Sequence, residues 1–207
     1  MPLGGSITYG VGSSDGDGYR KALRDLLHSH NYTVTMVGSR RSGTMSNNEH
    51  EGWRGFRIDQ IENKARASLE AYRPNLLTVN AGSNDCIQDL KIDSFGVRLE
   101  SMLEHQWSVS SYSTIVLSTL LVAFDKEVDS RVRIANKQIR KSVEVLAGQG
   151  RRITLADMYG PGGPDLDDLI DGVHPNDLGY RKMADIWYKG ITKASVKCFL
   201  HYTNKSE

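Results

Sequence analysis

Three residues that could carry out nucleophilic catalysis stand far apart in this sequence. Ser6 follows two glycines near the start of the chain. Asp171 and His174 are three residues apart and directly precede Pro175. A serine hydroxyl becomes an effective nucleophile when an imidazole takes its proton and a carboxylate holds that imidazole in the right tautomer. Because proline restricts the backbone of the residue before it, the His174 ring has few directions open to it, and we predict a Ser6–His174–Asp171 catalytic group.

Hydrogen-bond donors for a developing negative charge follow two other predicted strands. Gly38 ends the run Met-Val-Gly, and Asn84 lies in the run Gly-Ser-Asn-Asp. A backbone N–H at glycine is sterically open, and a side-chain amide donates without adding charge. Each donor of this kind is typically worth about 3–4 kcal/mol of barrier. We therefore predict an oxyanion hole formed by the N–H groups of Ser6 and Gly38 and by the side chain of Asn84.

Each of these motifs, taken alone, is more typical of a turn or of a helix start. Asp-Gly and Gly-Ser-Asn-Asp are common turn sequences, and Pro-Asn-Asp suits the first turn of a helix. The catalytic interpretation depends on their combination. Four loops, each placed after a predicted strand, supply a nucleophile, a backbone donor, an amide donor and an Asp/His pair.

Strand and helix patterns alternate along the chain and define the elements that must position these residues. Short apolar or β-branched runs predict strands that end near residue 3 or cover 32–37, 76–81, 115–121 and 153–158. Apolar residues recurring on one helical face predict helices at 19–28, 58–72, 97–107, 131–146 and 178–193. Asn176 or Asp177 is expected to cap the last helix.

This alternation predicts an α/β fold in which a five-stranded parallel sheet carries helices on both faces. Ligands of such sheets bind beyond the carboxyl ends of the strands. The four motifs all follow strands, so we expect them to meet at that edge.

Composition narrows the classes of partner. The 207 residues include 26 Lys and Arg and 25 Asp and Glu, which leaves no basic field for nucleic acid. The longest apolar stretch, residues 114–124, is too short to cross a membrane. We therefore expect neither nucleic acid nor membrane as a partner, and the sequence does not indicate an oligomeric state. No basic and apolar leader opens the sequence, so we expect a cytoplasmic protein, or a secreted one if the chain is a trimmed mature form.

The chain has two cysteines, Cys86 and Cys198. Two are too few for a disulfide-stabilised fold, and no metal-binding Cys-x-x-Cys spacing is present. Two interpretations stay open: two free, partly buried thiols, or a single Cys86–Cys198 bridge if the protein is secreted.

The four motifs resemble those of the SGNH hydrolases, also called GDSL esterases, whose conserved blocks carry Ser, Gly, Asn and His. The matching residues here are Ser6, Gly38, Asn84 and His174, with Asp171 three residues before the histidine. The segment His-Glu-Gly-Trp-Arg-Gly at 50–55 is similar to carbohydrate esterase family 3, whose members include acetyl xylan esterases. The resemblance covers residues 2–188 and implies a flavodoxin-like, three-layer α/β/α sandwich. We expect a catalytic domain at 1–195 and a C-terminal tail at 196–207.

The resemblance implies a serine esterase that removes acetyl groups from carbohydrate, such as acetylated xylan, without cofactor or metal. An esterase, lipase or thioesterase acting on another small-molecule or lipid ester is one alternative. A weakly active sugar-binding module is another. A histidine base must be neutral, so kcat/KM should rise with pH as the imidazole loses its proton.

One position departs from the family pattern. An aspartate usually precedes the nucleophile, where it is thought to brace the active-site loops. Gly5 occupies that position here, and it has no side chain to form such a hydrogen bond.

The polar segment 49–57 is the expected site of substrate contacts. An aromatic face can stack on a sugar ring while charged neighbours bind its hydroxyls, so Glu51, Trp53 and Arg54 are the candidate substrate-binding residues. Trp53 could instead be a partly buried packing residue. Glu49, Glu51 and Asp59 could hold a structural Ca²⁺, although their spacing fits no EF-hand loop.

The end of the chain is more apolar than a free tail. Cys198, Phe199, Leu200 and Tyr202 all follow Lys193. We expect this stretch either to pack against the domain or to be a segment that does not belong to the domain's own sequence.

Overall fold

A single six-stranded sheet forms the centre of the protein, described here for residues 1–201 of a computed structural model. Its strand order is β2-β3-β1-β4-β5-β6. The strands are β1 (Pro2–Gly4), β2 (Arg40–Arg41), β3 (Glu49–Gly52), β4 (Leu76–Asn80), β5 (Thr114–Ser118) and β6 (Ile153–Ala156). All neighbouring pairs are parallel except β2 and β3, which are antiparallel.

Within residues 1–201, six α-helices lie between these strands and a seventh follows the last strand. They are α1 (Ser6–Tyr9), α2 (Tyr19–Ser29), α3 (Ile58–Tyr72), α4 (Ser83–Ile87), α5 (Phe95–Val109), α6 (Lys126–Gly148) and α7 (Asp177–Val196). Short 3₁₀ turns cover Ile92–Ser94 and Leu166–Asp168. No helix within residues 1–201 has both the length and the apolar surface needed to cross a membrane.

The helices cover both faces of the sheet, which gives the predicted three layers. One apolar cluster joins the sheet to α3, α5 and α6, and a second joins it to α2 and α7. Residues of β5 alternate between the two clusters: Ile115 and Leu117 belong to the first, and Val116 to the second. Because successive side chains of a strand point to opposite faces, both faces of this strand are buried.

The prediction of a strand at 32–37 is wrong. These residues form no ladder, and the position beside β1 is taken by β3, which pairs Leu3 with Glu51. The backbone of Met36 bonds instead to the side chain of Asn47, which accepts its N–H at 2.6 Å and donates to its C=O at 2.9 Å. A β-branched composition specifies an extended segment, but it does not specify a strand partner. The sheet accordingly has six strands, one of them antiparallel, rather than five parallel ones.

Helix positions agree better with the sequence pattern. The prediction of 58–72 for α3 matches both of its ends. Asn176 caps α7, as its side chain accepts the N–H of Gly179 at 2.9 Å. Helix α6 begins five residues before its predicted start, because Asp125 caps it by accepting the N–H groups of Glu127 and Val128.

Both cysteines are free, so the alternative of a Cys86–Cys198 bridge is wrong. Cys198 is exposed, whereas Cys86 is buried and burial raises the pKa of its thiol to about 12. Helix α7 runs one residue past the predicted domain boundary. The chain after it lies against the domain, where Thr114 donates to the carbonyl of Phe199 at 2.7 Å. Tyr202 and the rest of the predicted tail, 202–207, lie outside the described residues.

Candidate active site

Ser6 lies at the carboxyl end of β1, a strand in the interior of the sheet. The residue begins α1 directly after Gly5, whose N–H donates to the carbonyl of Asn80 on the neighbouring strand β4 at 3.3 Å. Helix α1 ends after one turn at Gly10. The serine is only partly buried. The sharp change from strand to helix therefore presents the hydroxyl at the edge of the sheet where the sequence predicts a site.

Asp171 and His174 form a compact turn opposite Ser6. One carboxylate oxygen of Asp171, Oδ1, accepts the backbone N–H groups of Val173 and His174 at 3.1 and 2.8 Å. The other, Oδ2, lies 2.7 Å from Nδ1 of the His174 ring. Gly172 has a φ of +85°, which permits the turn. Two backbone N–H groups thus fix the carboxylate through Oδ1, while Oδ2 orients the imidazole.

The electrostatics of this turn keep the carboxylate charged. Partial burial alone would raise the pKa of Asp171, but hydrogen bonds from the His174 side chain and from the two backbone N–H groups outweigh burial. The net effect holds the pKa of Asp171 below its usual value. A charged carboxylate accepts a hydrogen bond from Nδ1–H, so the ring proton stays on Nδ1 and the other ring nitrogen, Nε2, is left with a lone pair.

That lone pair faces the serine. The distance from Nε2 of His174 to Oγ of Ser6 is 2.7 Å. The structure therefore brings together the three side chains predicted to act as one group, although 165 positions separate Ser6 from Asp171 (171 − 6). A continuous hydrogen-bonded chain runs from the hydroxyl through the imidazole to the carboxylate.

Two of the predicted oxyanion donors are backbone N–H groups that remain available to donate. Neither the N–H of Ser6 nor that of Gly38 has an acceptor within residues 1–201. Gly38 does not follow a strand, as the sequence pattern predicted, but lies against β3. A Cβ at this position would come within 2.3 Å of the backbone of His50. Only glycine allows this close approach, which explains the residue type better than the predicted strand end does.

Asn84 supplies the third predicted donor from α4. Gly82, just before this helix, has a φ of +119°, and a Cβ there would meet the Phe95 ring at 2.3 Å. Nδ2 of Asn84 donates to the carbonyl of Phe56 at 3.0 Å. A side-chain amide has two N–H donors, so this hydrogen bond fixes the side chain and leaves one donor free.

The space beside Ser6 is small. An open depression of about 200 Å³ is lined by Gly5, Ser6, Ile7, Phe56, Asn80, Gly82, Ser83 and Asn84. A second depression of about 270 Å³, mainly apolar, begins at Ile7 and Ser83 and extends to Val173.

The three predicted substrate contacts have different surroundings. Glu51 is fully buried, and its carboxylate accepts from the N–H of Ser39, from Oγ of Ser68 and from Nε1 of Trp53 at 2.5, 2.5 and 2.9 Å. The prediction of a substrate contact for Glu51 is therefore wrong: the side chain braces the loops instead. Trp53 is partly buried, while Arg54 is exposed.

A comparison with known protein families identifies the type of enzyme. The model of the GDSL-like lipase/acylhydrolase family matches residues 3–182. The chain belongs to the GDSL-like lipase/acylhydrolase family. This membership confirms the predicted class of activity, an ester hydrolase, and the resemblance stated from the motifs.

Individual relatives agree with the family assignment. A multidomain esterase of Ruminococcus flavefaciens is 27% identical over an alignment 230 residues long. The alignment covers 94% of this chain and 29% of that protein. A family 3 carbohydrate esterase of Clostridium thermocellum has a TM-score of 0.83 at 25% identity, covering 95% of this chain and 96% of that one. A family 3 carbohydrate esterase of Talaromyces cellulolyticus shares the fold, with a TM-score of 0.81 at 22% identity over 95% and 97% of the two chains. This GDSL-family chain thus has the fold of carbohydrate esterase family 3.

A buried polar network that the sequence analysis missed supports the loops of this GDSL hydrolase. Arg20 is fully buried and donates to the carbonyls of Tyr9, Gly16, Ser42 and Asn48. His50 is fully buried as well, with Nε2 at 2.7 Å from Oγ of Ser42. Burial first, and then the charges of Arg20 and Arg40, lower the pKa of His50 to about 3. His50 lies within the family-like segment 50–55, which was the only sequence signal for this network.

The alternative of a Ca²⁺ site is not supported. Glu49 binds Arg41 at 2.7 Å, and Glu51 is occupied as described above. Asp59 is exposed, 3.6 Å from Arg57. Among residues 1–201, no group of three or more His, Cys, Asp or Glu side chains has an arrangement that could hold a metal ion.

Proposed function

We propose that this chain is a serine esterase that removes short acyl groups, acetyl in particular, from carbohydrate such as acetylated xylan. The observation that carries the proposal is the 2.7 Å contact between Oγ of Ser6 and Nε2 of His174, with Nδ1 of the same ring 2.7 Å from Asp171. This is the arrangement in which a serine hydroxyl can lose its proton as it attacks a carbonyl.

The proposed reaction has two halves. Oγ of Ser6 attacks the ester carbonyl carbon while Nε2 of His174 takes the hydroxyl proton. The tetrahedral intermediate collapses, the protonated imidazole gives its proton to the departing sugar oxygen, and the acyl group stays on Ser6. A water molecule then attacks the acyl-enzyme, with His174 again acting as base, and releases the carboxylic acid.

The donors around Ser6 suit the charge that develops on the carbonyl oxygen. The N–H groups of Ser6 and Gly38 have no competing acceptor in the described part of the chain, and Asn84 retains one free N–H. Donors fixed before the reaction stabilise an oxyanion without paying for reorganisation. Asp171 keeps its charge, and it stabilises the imidazolium that forms during each half-reaction.

The proposal of a short acyl group is supported by the size of the site. The depression beside Ser6 and Asn84 has a volume of about 200 Å³. A methyl group fits in it, whereas a longer acyl chain has to extend beyond it, toward the apolar depression that begins at Ile7 and Ser83. The carbohydrate part of the proposal is supported by the likeness to the C. thermocellum family 3 carbohydrate esterase.

Acetate release from acetylated xylan is the test of the proposed reaction. We expect release by the unmodified chain and a loss of at least about 10³-fold in Ser6→Ala. Ser130→Ala is the matched control, because Ser130 is an exposed serine of α6, away from the site. Equal rates for Ser6→Ala and Ser130→Ala would contradict the role of Ser6. Retention of xylan with no turnover by the unmodified chain would indicate a sugar-binding module instead.

Acyl length is tested separately with 4-nitrophenyl esters. We expect kcat/KM to fall from acetate to butyrate to octanoate, because the longer acyl chains have to extend beyond the depression beside Ser6. A preference for octanoate would contradict the proposal of a short acyl group while leaving the esterase mechanism intact.

A further inference from the structure

Two arginines beside the active site have aromatic neighbours but no acidic partner. Cζ of Arg40 lies 4.6 Å from the ring centroid of Trp53 and 5.9 Å from that of Tyr9. Cζ of Arg54 lies 5.6 Å from the Tyr9 centroid. In the part of the chain that the structure describes, no carboxylate comes within 4.0 Å of either guanidinium. We call these four residues, Tyr9, Arg40, Trp53 and Arg54, the arginine rim.

Nearby arginines differ in this respect. Arg41, the next residue in the chain, binds Glu49 at 2.7 Å. Arg57 lies 3.6 Å from Asp59 and donates to Gln88 at 2.9 Å. The local carboxylates that could neutralise the arginine rim are therefore already engaged elsewhere.

The arginine rim is attached to the elements that carry the reactive groups. Tyr9 is three residues after Ser6 on α1, and residues spaced by three lie on the same face of a helix. The N–H of Trp53 donates to the carbonyl of Gly4 at 2.9 Å, which ties the start of the 53–57 loop to the strand that ends at the nucleophile. Arg40 follows Gly38, a proposed oxyanion donor, by two residues. The Trp53 ring also packs near that of Phe56, with centroids 5.7 Å apart, and Phe56 lines the depression beside Ser6.

The arrangement is suited to binding a carboxylate. When a guanidinium stacks on an aromatic ring, its planar face contacts the ring and fixes its position. The N–H groups at its edge remain free to donate. Guanidinium and carboxylate groups form paired, charge-assisted hydrogen bonds with defined geometry. Nζ of Lys64, 5.2 Å from the Trp53 centroid, adds a third positive charge beside this ring.

We propose that the arginine rim binds a carboxylate of the substrate. The preferred substrate is then an acetyl ester of an acidic carbohydrate, in which a uronic acid is the acetylated sugar or its neighbour. This inference rests on the proposed esterase function and adds a charge requirement to it. Since none of the four rim side chains is hydrogen-bonded to Ser6 or His174, we expect the substrate carboxylate to affect binding more than the chemical step.

The test compares two substrates that differ by one carboxylate. These are methyl glucuronide and methyl glucoside carrying an acetyl group on the same hydroxyl. We expect kcat/KM to be about tenfold higher for the glucuronide, chiefly through a lower KM, and the preference to shrink as NaCl is added. In the Arg40→Gln/Arg54→Gln variant, we expect the ratio of the two kcat/KM values to fall toward one.

Arg41→Gln is the matched control, because it removes the same charge from the adjacent residue but from an arginine that already has a carboxylate partner. It should retain the preference for the glucuronide. Equal kcat/KM values for both sugars in the unmodified chain, or a preference that survives in the double variant, would overturn the inference and leave the esterase function standing. Failure to release acetate from either sugar and from acetylated xylan would overturn both.

Discussion

Two serine–histidine pairs in this protein have the same distance between Nε2 and Oγ but opposite directions of the hydrogen bond between them. Nε2 of His174 lies 2.7 Å from Oγ of Ser6, and Nε2 of His50 lies 2.7 Å from Oγ of Ser42. The difference lies at the other ring nitrogen. Nδ1 of His174 faces the Asp171 carboxylate, which accepts a hydrogen bond. Nδ1 of His50 faces the N–H of Gly52 at 2.8 Å, which donates a hydrogen bond.

The partner at Nδ1 decides the direction of the hydrogen bond to serine. In His174 the proton is on Nδ1, and Nε2 can accept from Ser6. In His50 the proton must be on Nε2, which donates to Ser42, while the Ser42 hydroxyl donates to the carbonyl of Tyr9 at 2.6 Å. A short Ser–His distance therefore does not identify a nucleophile. The hydrogen-bond partner of Nδ1 distinguishes the two cases.

Burial separates the two pairs as well. His50 is fully buried, with all of its hydrogen-bonding capacity used, whereas the His174 side chain retains 19% of its accessible surface. The His50 pair is enclosed among the segments that carry Ser42 and Tyr9, whereas the His174 pair meets the solvent. We propose that the His50 pair is structural and that the His174 pair is catalytic, and variants of Asp171, Ser42 and His50 test that contrast.

The largest effect is expected from Asp171→Asn, which makes His174 resemble His50. The amide can donate to Nδ1, and this would move the ring proton to Nε2 and remove the lone pair that faces Ser6. We expect kcat for 4-nitrophenyl acetate to fall about 10³–10⁴-fold with little change in thermal stability. A loss of less than tenfold would contradict the assignment of Asp171 as the residue that sets the tautomer.

Ser42→Ala should have the opposite profile. The hydroxyl accepts from Arg20 and His50 and donates to the carbonyl of Tyr9, so its removal leaves Nε2 of the buried His50 without a hydrogen-bond partner. We expect the free energy of unfolding to fall by about 2–3 kcal/mol, with kcat of the folded protein within about threefold of the unmodified value. Urea unfolding and initial rates measure the two quantities. A large loss of kcat without a loss of stability would make the His50 pair catalytic.

The pH dependence of stability should report His50 specifically. Its pKa is about 3 in the folded chain, against an ordinary value of 6.5, so the unfolded chain binds a proton that the folded chain does not. Stability from this group is full above pH 6.5 and is lost as pH falls toward 3, by about 1.4 kcal/mol per pH unit. His50→Gln should flatten that part of the curve from urea unfolding between pH 7 and 5. An unchanged slope would contradict the buried neutral state of His50.

The smallest effect is expected from Gly5→Asp, which restores the residue usual in the family. A Cβ at position 5 would lie 3.6 Å from Nδ2 of Asn84, an ordinary contact. The added carboxylate should accept an N–H of Asn84 and raise the melting temperature by a few degrees. Gly5→Ala is the control, because it also restricts the unfolded chain but adds no acceptor. Equal melting temperatures for the two variants would show that no such hydrogen bond forms.

The Ser6–His174–Asp171 arrangement was predictable from the sequence because its parts are local or lie next to strands. Asp171 and His174 are three residues apart on one turn, and Ser6 directly follows a strand. The sheet rule then brings both to one edge. The alternation of strands and helices likewise predicted the three layers.

The 31–57 region was not predictable in the same way. The sequence of β3, Glu-His-Glu-Gly, lacks the composition of a strand. It is buried because Glu51 and His50 find partners as remote as Ser68, 17 residues away. The extended segment 32–37 has a strand-like composition but no strand partner. Contacts of this kind depend on the folded structure, and a single sequence does not reveal them.

Covalent labelling of the nucleophile is the most direct test of the central claim. Diethyl 4-nitrophenyl phosphate should transfer one diethylphosphoryl group to Ser6 with release of one 4-nitrophenolate, and peptide mass spectrometry should locate the adduct on Ser6. The account predicts labelling at Ser6 in the unmodified chain and in Ser42→Ala, and none at this position in Ser6→Ala. Rapid labelling of Ser42, or an active enzyme that is not labelled on Ser6, would contradict it.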